Sequence, residues 1–390
     1  MSKIGVFLST FNPIHNGHIF IANELKSKYN LDKILLVPSN IVINKIEELP
    51  PIKNRSEICK LACCNCDNIM VYNIQHDSNL SCVFSILQEI KNNFCNDDLY
   101  LIVESNLFLS FELLYKHDKI FDMAFILPVA FSKCEYKLMK RKAKQFEHKV
   151  AINIFKHVSS EFVRIKYAQG LKCSDYLDNK VEHYILENNI YCGNDRLFRE
   201  CFNASKNRLS SKRFYHCQMV AKAAKDLARL YNEDEKKAEI AGVLHDIVKE
   251  QDDKYLLRIM KDSGVELNEI EQKTPQIWHS IAGAIYCEKY LGIENEQIIS
   301  SIKYHTTGNR DMTTFEKIIY MADCVSEDRK HEDVEIEREI VKKDLDKALL
   351  FQLKKCITLL CEREVLIHPK TFECYNQICQ KNFKWRWLPI

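Results

Sequence analysis

Glycine and proline are scarce, with 9 Gly and 8 Pro in 390 residues. No Gly- or Pro-rich low-complexity linker is found, and the abundance of Lys, Asn and Ile reads as codon bias of an A+T-rich genome. Charge of one sign is lacking as well: 56 Lys and Arg stand against 54 Asp and Glu, a formal net charge of +2. That excludes a basic sheath for long nucleic acid but leaves room for a local phosphate pocket. No run approaches the ~20 apolar residues that span a bilayer, so no membrane partner is expected. The opening MSKIGVFLSTFNP lacks a long apolar stretch, so no signal peptide is expected either. The 17 cysteines are odd in number and scattered. Cys63, Cys64 and Cys66 lack a second Cys/His pair at zinc-finger spacing. They read as reduced thiols of a soluble, cytoplasmic protein.

What is present divides the chain. The runs KIGVFLS, KILLVPS, NIMVYNI, DLYLIVES and MAFILPVA are short, apolar and bounded by polar residues or Pro, as buried strands are. Helical stretches (HIFIANELKSKYN, NRSEICKLACCN, VFSILQEIKNNF) lie between them. The alternation predicts an α/β doubly wound parallel sheet. From Arg196 onward the strand-like runs stop and helices follow in series, ending in one long helix over about 335–363. Two domains are expected, 1–192 and 200–380, the second all-α. The tail KNFKWRWLPI is expected to dock on the body or fray, with a ligand contact as the lesser reading.

The stretch TFNPIHNGH closes the first strand and opens the first helix, where backbone N–H groups and the positive dipole end favour phosphate. Gly17 would let backbone approach a ligand, and His15 and His18 could both donate to phosphate oxygens. In the helical half His216, His245, Asp246, His279, His305 and Asp323 occur in order. His216 heads the stripe Val220, Ala223, Ala224, Leu227; His245 lies with Ala238, Ala241 and Val248; His279 shares a face with Ala282, Gly283 and Tyr286. Imidazoles aimed into a core without partners are costly, and metal coordination removes that cost.

The first constellation, with HVSSEFVRIKYAQG later in the chain, resembles the nucleotidyltransferase superfamily, and bacterial nicotinate-nucleotide adenylyltransferase in particular. The likeness covers roughly 1–192. It implies binding of ATP with Mg²⁺ and of nicotinate mononucleotide. Site residues by this likeness are Thr10, Phe11, His15, Gly17, His18, Lys45, Ser159, Ser160 and Arg164, with Arg55 also aligned to a family arginine. In adenylyl transfer the mononucleotide phosphate attacks the α-phosphorus of ATP, so positioning and charge neutralisation are the protein's task. The chain departs from the family at Leu8-Ser9, where Gly-Gly is usual, at VESN (Val103 to Asn106), where G-x-D is usual, and around Ser81. Transfer to another acceptor and a non-catalytic nucleotide-binding domain therefore stay open beside the first reading.

The second constellation, with GVLHDIVK, WHSIAGA, KYHTTG and IIYMADCVSEDR, resembles HD-domain phosphohydrolases that cleave diadenosine tetraphosphate symmetrically. The likeness covers roughly 205–375. It implies two divalent metal ions, iron favoured over manganese, with His216, His245, Asp246 and Asp323 at one and His279 and His305 at the other, Asp246 bridging. Lys249 and Arg213 would neutralise phosphate; Thr306, Thr307, Gly308 and Arg329 would meet substrate, and Asp328 and Arg329 could line the mouth. The partners expected are small nucleotides: ATP, nicotinate mononucleotide and dinucleoside polyphosphates. Homo-oligomerisation is left open.

Overall fold

A computed structural model describes residues 1–42, 47–74, 82–146, 150–155, 159–193 and 195–381. It divides into two compact units, Met1–Gly193 and Asn194–Ile390.

In the first unit β1 (Lys3–Ser9), β2 (Lys33–Pro38), β3 (Ile69–Val71), β4 (Asp98–Glu104), β5 (Ala124–Ala130) and β6 (Asn153–Ile154) form one sheet. Every pairing is parallel and the order is β3-β2-β1-β4-β5-β6, the doubly wound arrangement expected from the alternation. Helices α1 (Asn16–Tyr29), α2 (Ile52–Cys63), α3 (Val83–Asn93), α4 (Ser105–Leu109), α5 (His117–Met123), α6 (Lys133–Ala143), α7 (Ser160–Ala168) and α8 (Asn179–Glu187) cover it. Parallel strands buried on both faces read as near-continuous apolar runs, and β1 follows that rule over Ile4–Leu8. Phe7, Ile34, Leu36 and Ile102 enter one core with residues of α1, α2, α7 and α8. Their neighbours Val6, Leu8, Leu35 and Leu101 enter the other with residues of α3, α5 and α6. The strand order reverses between β1 and β4, so the carboxyl ends of those two strands frame the crevice where such sheets take ligands.

The second unit contains α9 (Arg196–Arg208), α10 (Ser211–Leu230), α11 (Glu235–Leu244), α12 (Asp253–Asp262), α13 (Glu269–Lys273), α14 (Trp278–Lys289), α15 (Glu296–Tyr304), α16 (Thr314–Val325), α17 (Val334–Val341), α18 (Leu345–Glu362) and α19 (Pro369–Lys381). The single long helix expected over 335–363 is two helices. Asp344 breaks it: its side chain accepts from the Lys347 amide at 3.0 Å and its backbone is extended, so it caps α18. No helix among the described residues is long and apolar enough to cross a membrane. The expected tail docking lies outside the described residues, except at Lys381.

Candidate metal centre and nucleotide cleft

Five helices deliver the second unit's histidines and aspartates to one place. His216 lies on the buried face of α10. His245 and Asp246 follow the last turn of α11, His279 opens α14, His305 follows α15, and Asp323 lies in α16. His245 is fully buried and Asp246, His279 and His305 nearly so. The His216, His245 and Asp246 ligand atoms lie within 4.8 Å of one another, as do those of His245, His305 and Asp323, and those of Asp246, His279 and His305. Asp246 thus belongs to two overlapping trios, the arrangement a bridging carboxylate needs.

The donor set fits divalent metal. Asp246 Oδ1 and His245 Nε2 are buried without a hydrogen-bond partner. Yet His279 Nε2 and His305 Nε2 lie 3.3 and 3.6 Å from that same Oδ1. Polar atoms that crowd together without satisfying one another are costly unless a cation is shared among them. Their other ring nitrogens are tied: His245 Nδ1 lies 2.7 Å from the Gly242 carbonyl and His305 Nδ1 2.7 Å from that of Ile302. A carbonyl only accepts, so these nitrogens carry the protons and Nε2 keeps its lone pair for the centre. Burial, with His305 alongside, pulls the His279 imidazole down to about 3, leaving it neutral as a ligand must be. Burial alone would push the Asp246 carboxyl up; the His245 and His305 rings override it and hold the group well below the usual range.

Three cations border the cluster. Arg213 Nη1 is 3.0 Å from Asp246 Oδ2, Lys249 Nζ is 3.0 Å from both nitrogens of the His279 ring, and Arg329 pairs with Asp323. Burial lowers the Lys249 ammonium. Thr306 Oγ1 meets Ser280 Oγ at 2.9 Å, beside His279. Thr307 and Gly308 are turned to another task than the substrate contact expected of them. Thr307 is buried, its hydroxyl donates to the Gly308 carbonyl at 2.8 Å and its own carbonyl accepts from Thr371 of α19 at 2.8 Å. Gly308 has φ +67, and a Cβ there would meet Cys374 Sγ at 3.2 Å. Both residues seat α19 against the turn that carries His305.

In the first unit the buried rings of His15 and His18 lie against each other, with centroids 3.9 Å apart. The His15 amide donates to His18 Nδ1 at 3.2 Å, which places the His18 proton on Nε2. That nitrogen lies 3.6 Å from Glu104 Oε1. Gly17 sits in the first turn of α1. An open cleft is lined by Ser9, Thr10, Ser39, Glu104 and Asn106, among others, at the β1/β4 reversal.

The later element reaches the same loop. Ser160 Oγ donates to the Pro13 carbonyl at 2.9 Å, and Arg164 donates to the Asn12 carbonyl at 2.6 Å and pairs with Glu47 at 3.0 Å. Ser159 caps α7. Thr10 Oγ1 lies 3.4 Å from Glu47. Phe11 does not face the cleft: it is buried, edge-on to Phe7 at 5.4 Å and to His18 at 5.2 Å, so it supports the His18 ring. Arg55 is fully buried and donates to the carbonyls of Pro50, Thr10 and Ser39 and to the Asn40 side chain, which makes it a clamp on the loop rather than a phosphate ligand. Lys45 and Ser81 lie outside the described residues. Sequence reasoning missed Glu104 and Glu47; their signal is only that a strand end and a loop carry acids where phosphate was expected. Among the described residues the cysteines are free, and Cys63, Cys64 and Cys66 form no metal-ligand group.

Known proteins match both units. Residues 213–328 match the HD domain model and residues 6–176 the Cytidylyltransferase-like model. A Halalkalibacterium halodurans protein named "Bis(5'-nucleosyl)-tetraphosphatase, symmetrical" is 34% identical over 173 residues, 44% of this chain and 92% of that protein. A Borrelia turicatae protein named "Probable nicotinate-nucleotide adenylyltransferase" is 30% identical over 190 residues, 48% of this chain and 97% of that protein. The chain belongs to both families, one in each half. A Mycoplasma genitalium protein joins the two in the same order: it is named "Probable nicotinate-nucleotide adenylyltransferase/Ap4A hydrolase" and is 26% identical over 358 residues, 90% of this chain and 97% of that protein.

Proposed function

We propose that this chain is a bifunctional nucleotide enzyme with functional halves 1–192 and 200–380. The second half hydrolyses diadenosine tetraphosphate to two ADP, and the first transfers an adenylyl group from ATP to nicotinate mononucleotide. The observation that carries the reading is the buried cluster of His216, His245, Asp246, His279, His305 and Asp323, with Asp246 Oδ1 and His245 Nε2 unpartnered.

These six side chains would hold two divalent ions, with iron preferred to manganese by family likeness. Bound there, the metal supplies a Lewis acid and an acidified water. Arg213, Lys249 and Arg329 border the cluster and neutralise a tetraphosphate chain that brings several negative charges. One water adds across the central P–O–P link, and each half leaves as a nucleoside diphosphate. In the first half the mononucleotide phosphate oxygen attacks the ATP α-phosphorus and pyrophosphate departs. His18 Nε2–H and the positive dipole end of the α1 N-terminus meet the phosphates that Mg²⁺ accompanies. Free thiols suit a reducing cytoplasm.

The alternative, an active hydrolase with a non-catalytic nucleotide-binding first half, is favoured by one observation: Glu104 sets a carboxylate inside the phosphate cleft. One experiment covers both readings. The full chain is given diadenosine tetraphosphate, and separately ATP, Mg²⁺ and nicotinate mononucleotide. Asp246→Ala should lose metal and hydrolysis while keeping transfer, and His18→Ala should do the reverse. Full metal content and rate in Asp246→Ala would sink the ligand assignment. Absence of deamido-NAD from wild type beside active hydrolysis would leave the alternative standing.

A further inference from the structure

His216 is held unlike the other imidazoles of the cluster. His245 and His305 lean on backbone carbonyls of their own helices, whereas His216 Nδ1 lies 2.8 Å from a carboxylate oxygen, Asp328 Oδ2. The second oxygen of Asp328 accepts from Ser326 Oγ at 2.8 Å, and Ser326 is fully buried. The loop that carries both is fastened from behind. Arg338 donates to the carbonyls of Val325 at 2.9 Å, Ser326 at 2.6 Å and Arg329 at 3.2 Å. The Arg329 amide closes the turn on the Ser326 carbonyl at 3.0 Å. A solvated loop acid would not have each oxygen committed to a buried partner.

This geometry fixes a proton. A carboxylate accepts, so His216 Nδ1 donates to Asp328, and Nε2 is the nitrogen left to ligate a metal ion. Arg329 gives an independent indication, because its Nη2 stands 3.5 Å from His216 Nε2 and a guanidinium can only donate. The same Nε2 is 3.0 Å from Asp323 Oδ1, inside the cluster. A carboxylate behind a ligating imidazole also makes the ring a stronger donor than a carbonyl does, since it adds a full negative charge.

We infer that Asp328 is a positioning residue that fixes the tautomer and orientation of His216 as a metal ligand. The inference rests on the reading of the cluster as a metal centre. Asp328 itself touches neither metal nor substrate. Its removal frees the His216 ring to rotate and to exchange tautomers.

The test uses full-length wild type, Asp328→Ala and Asp328→Asn, each stripped of metal. Mn²⁺ and Fe²⁺ affinity is read by competition with a chromogenic chelator, Mn²⁺ coordination by electron paramagnetic resonance, and the melting midpoint without metal by calorimetry. Asp328→Ala should bind metal about 10- to 100-fold more weakly, with its metal-free melting unchanged. Asp328→Asn should fall between, because its side-chain carbonyl still accepts from Nδ1–H but carries no charge. Wild-type affinity in Asp328→Ala would overturn the inference. Should Asp328→Ala fail to fold, Asp328→Asn decides: weakened affinity with normal melting supports the role, and unchanged affinity overturns it. A wild-type protein that takes up neither ion sinks the metal-centre reading, and this inference with it.

Discussion

A single carboxylate stands in the first unit's cleft, where the proposed function brings phosphate. Glu104 ends β4 with its side chain 27% exposed, accepts from Ser9 Oγ at 2.6 Å and lies 3.6 Å from His18 Nε2. It therefore competes with a phosphate anion for the donor the family motif places there. A phosphate bound beside this carboxylate would be repelled by it, the repulsion reduced by the partial exposure to solvent. Glu104→Gln keeps an acceptor for Ser9 and removes the charge, so it should tighten Mg·ATP binding by about 3- to 10-fold, measured by titration calorimetry. Unchanged or weaker binding would show that the carboxylate helps the nucleotide or stands apart from it. At this scale the second unit's His and Asp cluster was legible, since His216, His245 and His279 each share an apolar stripe where an unpartnered imidazole is anomalous, and the structure brings them together with His305, Asp246 and Asp323. Glu104 was not, because its partners Ser9 and His18 are brought to it only by the β1–β4 pairing. Asp328 was seen as a loop acid; its bond to His216 spans 112 positions of chain.

At the scale of elements, the close approach of α10 and α11 aligns His216 with His245. Gly242 allows it: a Cβ there would stand 2.6 Å from Ala221 Cα and 2.8 Å from Ala221 N, both backbone atoms that no rotamer can move. The Gly242 carbonyl also holds His245 Nδ1 at 2.7 Å. Gly242→Ala should part the helices, destabilise the unit by about 1–3 kcal/mol and reduce metal content. Calorimetry and metal analysis on one preparation would check both, and unchanged melting with full metal would contradict the packing argument. The 3.6-residue period showed which helix faces are buried, but not how near two helices come. The same limit explains the long helix that proved to be two. Apolar residues continue on both sides of Lys342–Asp344, and only the cap formed by the Asp344 side chain ends the run. Thr307 and Gly308 misled for a related reason: a Thr-Gly turn beside a ligand reads as a substrate loop until α19 is seen packed on it.

For the whole molecule, the change from alternating strands and helices to helices alone was readable because the two patterns have different periods, and the two family matches fall on either side of it. The chemistry divides in the same way. Each group of His and Asp able to hold a metal among the described residues lies between His216 and Asp323. The residues expected to meet phosphate in the first unit are instead hydrogen-bond donors, which under the proposed function would need only the Mg²⁺ that arrives with ATP. The two activities should therefore separate by metal in one intact chain. Protein stripped with an iron-binding chelator, dialysed and supplied with Mg²⁺ alone should form deamido-NAD at the untreated rate and leave diadenosine tetraphosphate uncut. Fe²⁺ or Mn²⁺ added back should restore hydrolysis without changing transfer. The rates are followed by chromatography of both products from a single sample. Loss of transfer on stripping, reversed by the same ions and not by Mg²⁺, would mean that the second unit's metal governs the first unit's chemistry, and the division argued from the ligand positions would fail.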